Sequence, residues 1–390
     1  VRIFYAAYAS PNVWTLPESK LWDENLLLPL RDLGHEVIPF DYDLAPHFRN
    51  LDESDPRQRR FVQAHRPALV ESLLRQIEAE HRRRPIDLFF SYFYSACITP
   101  EAVAHIRGMG IATCNFYCNA AHQFDLIRDI APAYDFCLVT ERFRLADYKA
   151  IGANPIYCQE AANPNVYHPR DVPRDLGVVF LGQCYGERPA YIARLVRAGV
   201  PVRVWGPGWL TPRDPRTASE RWLYRLQLLA SREGIRTALG KLRRGSRPAG
   251  DKAAQGVALP PGVAGPPLSD REMVEMYSRA KITLGFSAVG DALPGTERVL
   301  QVRLRDFEAP MSGAFYLVEY MPELEEFFEP GKEIACYRDA GELVALARYY
   351  LEHDDERERI RQAGYRRALA EHTWQKRLST SLAAMGLAGA

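Results

Sequence analysis

The sequence predicts two doubly wound α/β domains facing a central cleft, and three observations carry that prediction. The chain has 390 residues, more than one hydrophobic core ordinarily serves and a natural length for two domains. Residues 1–42 read as strand, helix, strand, the spacing of a parallel βαβ unit. A second series with the same rhythm begins after the proline-containing stretch 163–173. Open sheets of this kind bind ligands beyond the carboxyl ends of their strands, so two of them joined by a short linker leave a binding cleft between them.

Each element has its own reason. Residues 1–8 are short, apolar and β-rich. They lack the basic start, long apolar stretch and cleavage site of a signal peptide, and are expected to form the first strand. In 19–34, Ser19 stands at a helix cap, Leu21, Trp22, Leu26, Leu30 and Leu33 recur at helical spacing, and Gly34 ends the run. A strand at 36–42, a polar helix at 56–83 and a strand at 86–94 come after it. Next are a helix at 100–108, a strand at 111–117, a partly helical stretch at 120–130, a strand at 134–139, a helix at 142–151 and a strand at 155–159. The second series has strands at 175–181, 201–205, 282–287 and 315–319. Its helices fall at 188–198, 270–279 (capped by Ser269 or Asp270), 301–310, 340–351 and 355–372. The expected division is therefore 1–165, 166–372 and a tail, 373–390, that packs back on the first domain.

Composition narrows the class. Apolar residues make up 47% and charged residues 25%, the balance of a folded cytoplasmic protein. A net charge of +1 gives no global field towards nucleic acid or membrane. No run of 18 apolar residues occurs, so no transmembrane helix is expected. The seven cysteines mostly sit in apolar runs and read as reduced, buried thiols. Cys114 and Cys118 are four apart with no second pair at ligand spacing, so no metal site is expected. The rhythm breaks at 211–259. Residues 211–252 carry nine Arg and two Lys against two Asp and two Glu, a net +7. Two readings stay open. One is a solvated insertion. The other is a surface for an anionic or lipid-linked acceptor, a membrane face that would make the protein membrane-peripheral, or nucleic acid.

The chemistry gathers in a few stretches. In 304–338 a helix carrying Glu308 runs into Gly313 and then a buried strand. One carboxylate beside such a turn can hold a cis-diol through two hydrogen bonds, or can pair with Arg305. Residues 180–195, FLGQCYGERPAYIARL, are a strand, a turn with Gly182, Gln183 and Gly186, and a helix start. Free N–H groups there suit an anion, and Arg188 can stabilise a leaving diphosphate or be a surface residue. Arg298, Arg303 and Arg305 cluster about the start of the 301–310 helix, where a diphosphate is one partner, with Asp306 or Glu308 expected to pair with at least one. WGPGW, 205–209, places Gly206 in a loop that can frame a nucleotide base. On the opposite side, Glu18 lies beyond the first strand, as a base, an acceptor ligand or helix N-terminal charge. In NAAHQFD, 119–125, His122 can bind sugar hydroxyls or take a proton with Asp125 orienting it, or can be structural. His35, in the turn LGHEV, reads as structural.

FEAPMSGAFYLVEY, PELEEFFEPGKEI and YLEHDDERERIRQAGYRRALAEHTWQKRL resemble the C-terminal region of CgeB-type, spore-maturation-like glycosyltransferases. That group is similar to the large retaining glycosyltransferase family with a Glu-x7-Glu motif. WDENLLLPLRDLGHEVIPFDYD and NPNVYHP carry a looser likeness. The resemblance implies the GT-B fold, with two Rossmann-like domains facing a cleft. It implies transfer of a hexosyl or pentosyl group from a nucleoside-diphosphate sugar to a hydroxyl-bearing acceptor. No cofactor or metal is implied, the nucleotide-sugar being a co-substrate with UDP the commonest choice. Glu308 matches the second Glu, which holds the ribose. Leu300 stands where the first Glu would contact the sugar, so that contact and the stereochemical outcome stay open, with Gln301 or Arg303 as substitutes. Ser287 falls at a donor-cleft position. The same fold also leaves room for a non-catalytic assembly or coat protein, or for a nucleotide-sugar epimerase.

Overall fold

The computed structural model describes residues 1–9, 19–49, 51–53, 55–210, 259–289 and 298–387. Glu18 and nearly all of the basic stretch (211–258) lie outside the described residues. Two six-stranded sheets form the frame. The first contains β1 (Arg2–Ala6), β2 (Glu36–Pro39), β3 (Leu88–Ser91), β4 (Ala112–Tyr117), β5 (Phe136–Val139) and β6 (Pro155–Tyr157), ordered β2-β1-β3-β4-β5-β6. The second contains β7 (Leu176–Leu181), β8 (Val202–Trp205), β9 (Ala264–Gly265), β10 (Ala280–Gly285), β11 (Tyr316–Glu319) and β12 (Ala335–Tyr337), ordered β12-β11-β10-β7-β8-β9. Every pairing is parallel. The connection reverses direction between β1 and β3 and again between β7 and β10, and such switch points open crevices at the strand ends.

Eleven α-helices cover the sheets among the described residues: α1 (Leu28–Asp32), α2 (Pro56–Arg83), α3 (Pro100–Gly108), α4 (Ala120–Gln123), α5 (Leu145–Ala150), α6 (Arg188–Arg197), α7 (Asp270–Arg279), α8 (Arg305–Met311), α9 (Ala340–Glu352), α10 (Asp354–Glu371) and α11 (Trp374–Ala384). With helices on both faces, the inner strands read as unbroken apolar runs, and RIFYA in β1 and LFFS in β3 are buried throughout. α2 starts where Asp55 accepts from the Arg57 and Gln58 amides and Pro56 occupies the first turn. α7 starts with a reciprocal Ser269–Glu272 capping box.

Two expectations need correction. Ser19 does not cap the first helix, which begins at Leu21 and passes through a π-helical turn, Asp23–Leu27. Its hydroxyl instead donates to the Asp270 carboxylate of the second domain at 3.0 Å, and the Lys20 amide donates to the same group at 3.0 Å. The 301–310 helix begins later, at Arg305, because the preceding residues extend alongside the β10 loop, with the Gln301 amide bonded to the Ser287 carbonyl.

The chain crosses between domains twice. Ala162 and Thr373 form a parallel bridge, so outgoing and returning strands run side by side. The returning segment becomes α11, and Trp374, Leu378 and Leu382 are buried in the core of the first domain. Burial of such side chains contributes roughly 1.5–3 kcal/mol each. No described helix is long and apolar enough to cross a membrane.

Candidate active site

A cavity of about 240 Å³ lies in the seam between the two sheets. Its walls come almost wholly from segments just beyond the carboxyl ends of strands. In the first domain Ser19 and Trp22 lie beyond β1, Cys118 and Asn119 beyond β4, and Glu160 beyond β6. In the second domain Gly182 lies beyond β7, Trp205 and Gly206 close β8, and Gln301, Arg303, Arg305 and Glu308 lie beyond β10.

Bare backbone forms one wall. Gly206 has φ +140°, and a Cβ there would stand 2.3 Å from the Gly182 carbonyl oxygen. The Trp209 indole donates to that same oxygen at 2.6 Å. Glycine is required here, because any side chain would run into the main chain of Gly182.

Three guanidinium groups face this wall or stand behind it. Arg303 is fixed by the carbonyls of Phe286 and Ala288. Arg305 lies beside Tyr277 and Glu308. Arg188, only 5% exposed, donates to the Gln183 carbonyl at 3.0 Å and stacks 3.9 Å from the Tyr185 ring. Its Nε has no hydrogen-bond partner. Burial, and then the charges of Arg303 and Arg305, hold Arg188 down at about 9. None of the three has an ion pair with a described carboxylate. Glu308 and Asp306 lie near Arg305 without closing an ion pair on it, so the cluster keeps positive charge towards an incoming anion.

Carboxyl groups occupy the other side. Glu308 lines the cavity with one oxygen unpartnered. Burial pushes it up to about 7, against the pull of Arg305. Glu160 is buried, and burial together with the nearby Glu308 charge pushes it up to about 8. Asp270 is engaged by Ser19 and Lys20. Glu141 accepts from the Ala121 amide and from Gln301.

The predicted residues divide accordingly. Gly182, Gly206, Gln301, Arg303 and Glu308 line the cavity. Arg188 stands directly behind. Gln183 is not a lining residue: its side chain points to solvent and its carbonyl serves Arg188. Ser287 does not line the cavity either, and its hydroxyl donates to the Glu319 carbonyl at 2.8 Å. Gly313 caps the far end of α8 at φ +72°, its carbonyl held by Arg174 and Arg361. Arg298 is spent on Glu187 and Glu319. Gln301 donates its amide N–H groups to the Cys118 carbonyl and the Glu141 carboxylate of the first domain, each at 3.1 Å. The His122–Asp125 pair does not form, since Asp125 bonds Arg128. His122 is exposed at the rim, its pKa lowered by partial desolvation of the ring and by Arg303. His35 sits in its turn, away from the cavity. Sequence reasoning missed Glu160, Asp270 and Ser19. Nothing local marks them, because each gains its place only when the domains meet. Among the described residues, no group of three or more His, Cys, Asp or Glu could hold a metal ion.

A family model described as glycosyl transferase-like matches residues 251–383. No curated protein matches the sequence. Solved structures match along the whole chain. The sucrose-phosphate synthase of Thermosynechococcus elongatus has a TM-score of 0.58 at 13% identity, covering 99% of this chain and 98% of that one. Alr3699/HepE of Anabaena, solved with UDP and glucose, has a TM-score of 0.55 at 9% identity, covering 98% and 99%. A glycosyltransferase of Rickettsia africae has a TM-score of 0.54 at 9% identity, covering 98% and 96%. These likenesses establish the GT-B fold, two Rossmann-like domains about a cleft.

Proposed function

We propose that this chain is a glycosyltransferase that moves a sugar from a nucleoside-diphosphate sugar to a hydroxyl-bearing acceptor. The observation that carries the reading is the seam cavity, where Arg303 and Arg305, neither in an ion pair with a described carboxylate, and bare glycine backbone lie opposite buried carboxyl groups. The glycosyl transferase-like match and the UDP and glucose held by one fold neighbour support it. The diphosphate sits against Gly182, Gly206 and Arg303, with Arg305 and Arg188 adding charge as the sugar–phosphate bond breaks. Glu308 receives the ribose hydroxyls, in keeping with the likeness of its segment to the Glu-x7-Glu and CgeB-type groups. UDP is the proposed nucleotide. No cofactor and no metal enter the reaction, and a cytoplasmic setting suits such a donor. Acceptor access is from the first domain, with 211–252 as a surface for an anionic or lipid-linked acceptor.

Calorimetric titration with UDP, GDP, dTDP, CMP and ADP tests the reading. One nucleotide should bind selectively, and Glu308→Ala should weaken it by about 1–3 kcal/mol. Equal affinity in a folded Glu308→Ala protein removes the ribose role, and no binding by any nucleotide removes the donor site.

A further inference from the structure

We propose that Glu160 is the residue that recognises the transferred sugar, its carboxyl group donating to one sugar hydroxyl and accepting from a neighbouring one. The inference rests on the glycosyltransferase reading and deepens it by naming a specificity-determining residue of the same site.

The walls of the cavity carry it. Sequence leaves the sugar contact open among position 300, Gln301 and Arg303, and the fold engages all three elsewhere. Leu300 packs on the core of the second domain and does not line the cavity. Gln301 donates to the Cys118 carbonyl and the Glu141 carboxylate. Arg303 is held by the Phe286 and Ala288 carbonyls, on the wall assigned to the diphosphate. Of the second domain's two lining acids, Asp270 accepts from Ser19 and Lys20 across the seam, and Glu308 stands on α8 beside Arg305, where it receives the ribose. With diphosphate and ribose on the second domain, the sugar is the part of the donor left to face the first.

On that side one acid lines the cavity among the described residues. Ser19 is taken by Asp270, Asn119 donates to the Tyr92 hydroxyl at 3.1 Å, and Glu160 is the acid. Glu160 is 6% exposed, and no described cation pairs with it within 4.0 Å. The Cys118 thiol against it is a weak hydrogen-bonding group. A buried carboxyl with unmet hydrogen-bonding capacity, set in a cavity wall, calls for a polar ligand.

Its mounting is rigid. The Glu160 amide donates to the Gln159 side chain at 2.9 Å, and Gln159 in turn donates to the Thr140 carbonyl at 3.0 Å. Two residues on, Ala162 enters the bridge between the domains. A group held this way keeps its position relative to both halves of the site, as discrimination between hydroxyl configurations requires.

The groups around Glu160 decide what its carboxyl can offer. Cys118 and Tyr92 face it from the ends of β4 and β3, Glu141 from β5 and Cys158 from β6. Glu308 and Arg303 face it from the second domain. Burial and Glu308 outweigh Arg303 and push it up to about 8, so the group is mostly protonated at pH 7. A protonated carboxyl donates through one oxygen and accepts through the other. That pair of bonds matches two adjacent sugar hydroxyls and brings no further negative charge to a diphosphate.

The test is calorimetry with UDP, UDP-glucose, UDP-galactose and UDP-N-acetylglucosamine on the wild type, Glu160→Ala and Glu160→Gln. The readout is the gain in affinity of the tightest UDP-sugar over UDP, a ratio that cancels effects on the nucleotide alone. The wild type should show a gain of about ten-fold or more. Glu160→Ala should lose most of that gain and keep UDP affinity within about two-fold, and Glu160→Gln, which also donates and accepts, should keep the gain within about three-fold. Between about pH 7 and 9 the wild-type gain should shrink as the carboxyl ionises, while that of Glu160→Gln stays level. A gain kept by Glu160→Ala, the same loss in both variants, a wild-type gain independent of pH, or no UDP-sugar tighter than UDP overturns the inference while leaving the donor site standing. An equal fall of UDP affinity in Glu160→Ala makes Glu160 structural and overturns it as well. Failure of the wild type to bind UDP overturns the glycosyltransferase reading with UDP as its donor nucleotide, and the inference with it.

Discussion

Gly206→Ala places a methyl group where the second domain has no space for one. The new Cβ would lie 2.3 Å from the Gly182 carbonyl oxygen and 2.7 Å from its carbon. Both are main-chain atoms, so no rotamer change relieves the contact. The backbone must also leave φ +140°, a region that side-chain-bearing residues avoid at a cost of roughly 1–3 kcal/mol. Overpacking against backbone adds roughly 1–3 kcal/mol. Together these lower the melting temperature by roughly 5–20 °C in a domain of this size. Gly199→Ala is the control in the same domain, because Gly199 has φ +76° but nothing within 4 Å of its Cβ position. It should lose only the conformational part, roughly 1–2 kcal/mol. Differential scanning calorimetry on both variants gives the comparison. Equal losses would mean that β7 and β8 do not approach each other at these glycines, and the bare wall assigned to the diphosphate would go with them.

The same geometry sets other outcomes. Glu160, Glu308 and Glu24, a half-buried residue of the first helix near Asp270, are pushed up to about 8, 7 and 7, so between pH 4.5 and 8 these three groups bind more protons in the folded protein than in the unfolded chain. Their contribution to stability is complete below about 4.5 and is lost as pH rises through 7–8; melting temperature should fall over that window, and Glu160→Gln should reduce the fall. A flat or rising profile contradicts it. Arg188→Met removes a buried guanidinium with no acid partner, so the unliganded protein should melt at an equal or higher temperature while UDP affinity drops about ten-fold; a large loss of stability would make Arg188 structural. Trp374→Ala empties a fully buried site against Phe116 and should cost roughly 3–5 kcal/mol by chemical denaturation, whereas a loss below about 1 kcal/mol would mean that α11 is not part of the first core.

Much of the frame is legible in the sequence because its signals are local. α2 begins and ends where 56–83 was expected, since Asp55, Pro56 and the polar run after them act within a few residues of each other. β7, β10 and β11 are apolar runs long enough to identify unaided. Glu308 was legible because its motif surrounds it in sequence. Glu160 was not, since a glutamate after a short last strand looks like any exposed loop residue until the second domain covers it. Ser19 misled for the same reason: a serine before an apolar helix is a cap by every local rule, and only the approach of Asp270 takes its hydroxyl away. His122 and Asp125 are three apart, which pairs them on a regular helix. The backbone tightens to a 3-10 turn at Phe124–Leu126, and Asp125 meets Arg128 instead.

The double crossing at Ala162 and Thr373 has a consequence for synthesis. The second domain is, in effect, inserted into the first between β6 and α11. On the ribosome, the domain that begins first must therefore finish last. Residues 163–372 can complete their own sheet while the earlier domain still lacks the Trp374 helix that seals it. For that interval Phe116 and its neighbours have an open side, and the nascent chain is most exposed to aggregation or to chaperones until the Trp374 helix emerges. A chain cut just before Trp374 would leave the second domain folded and the first one unsealed.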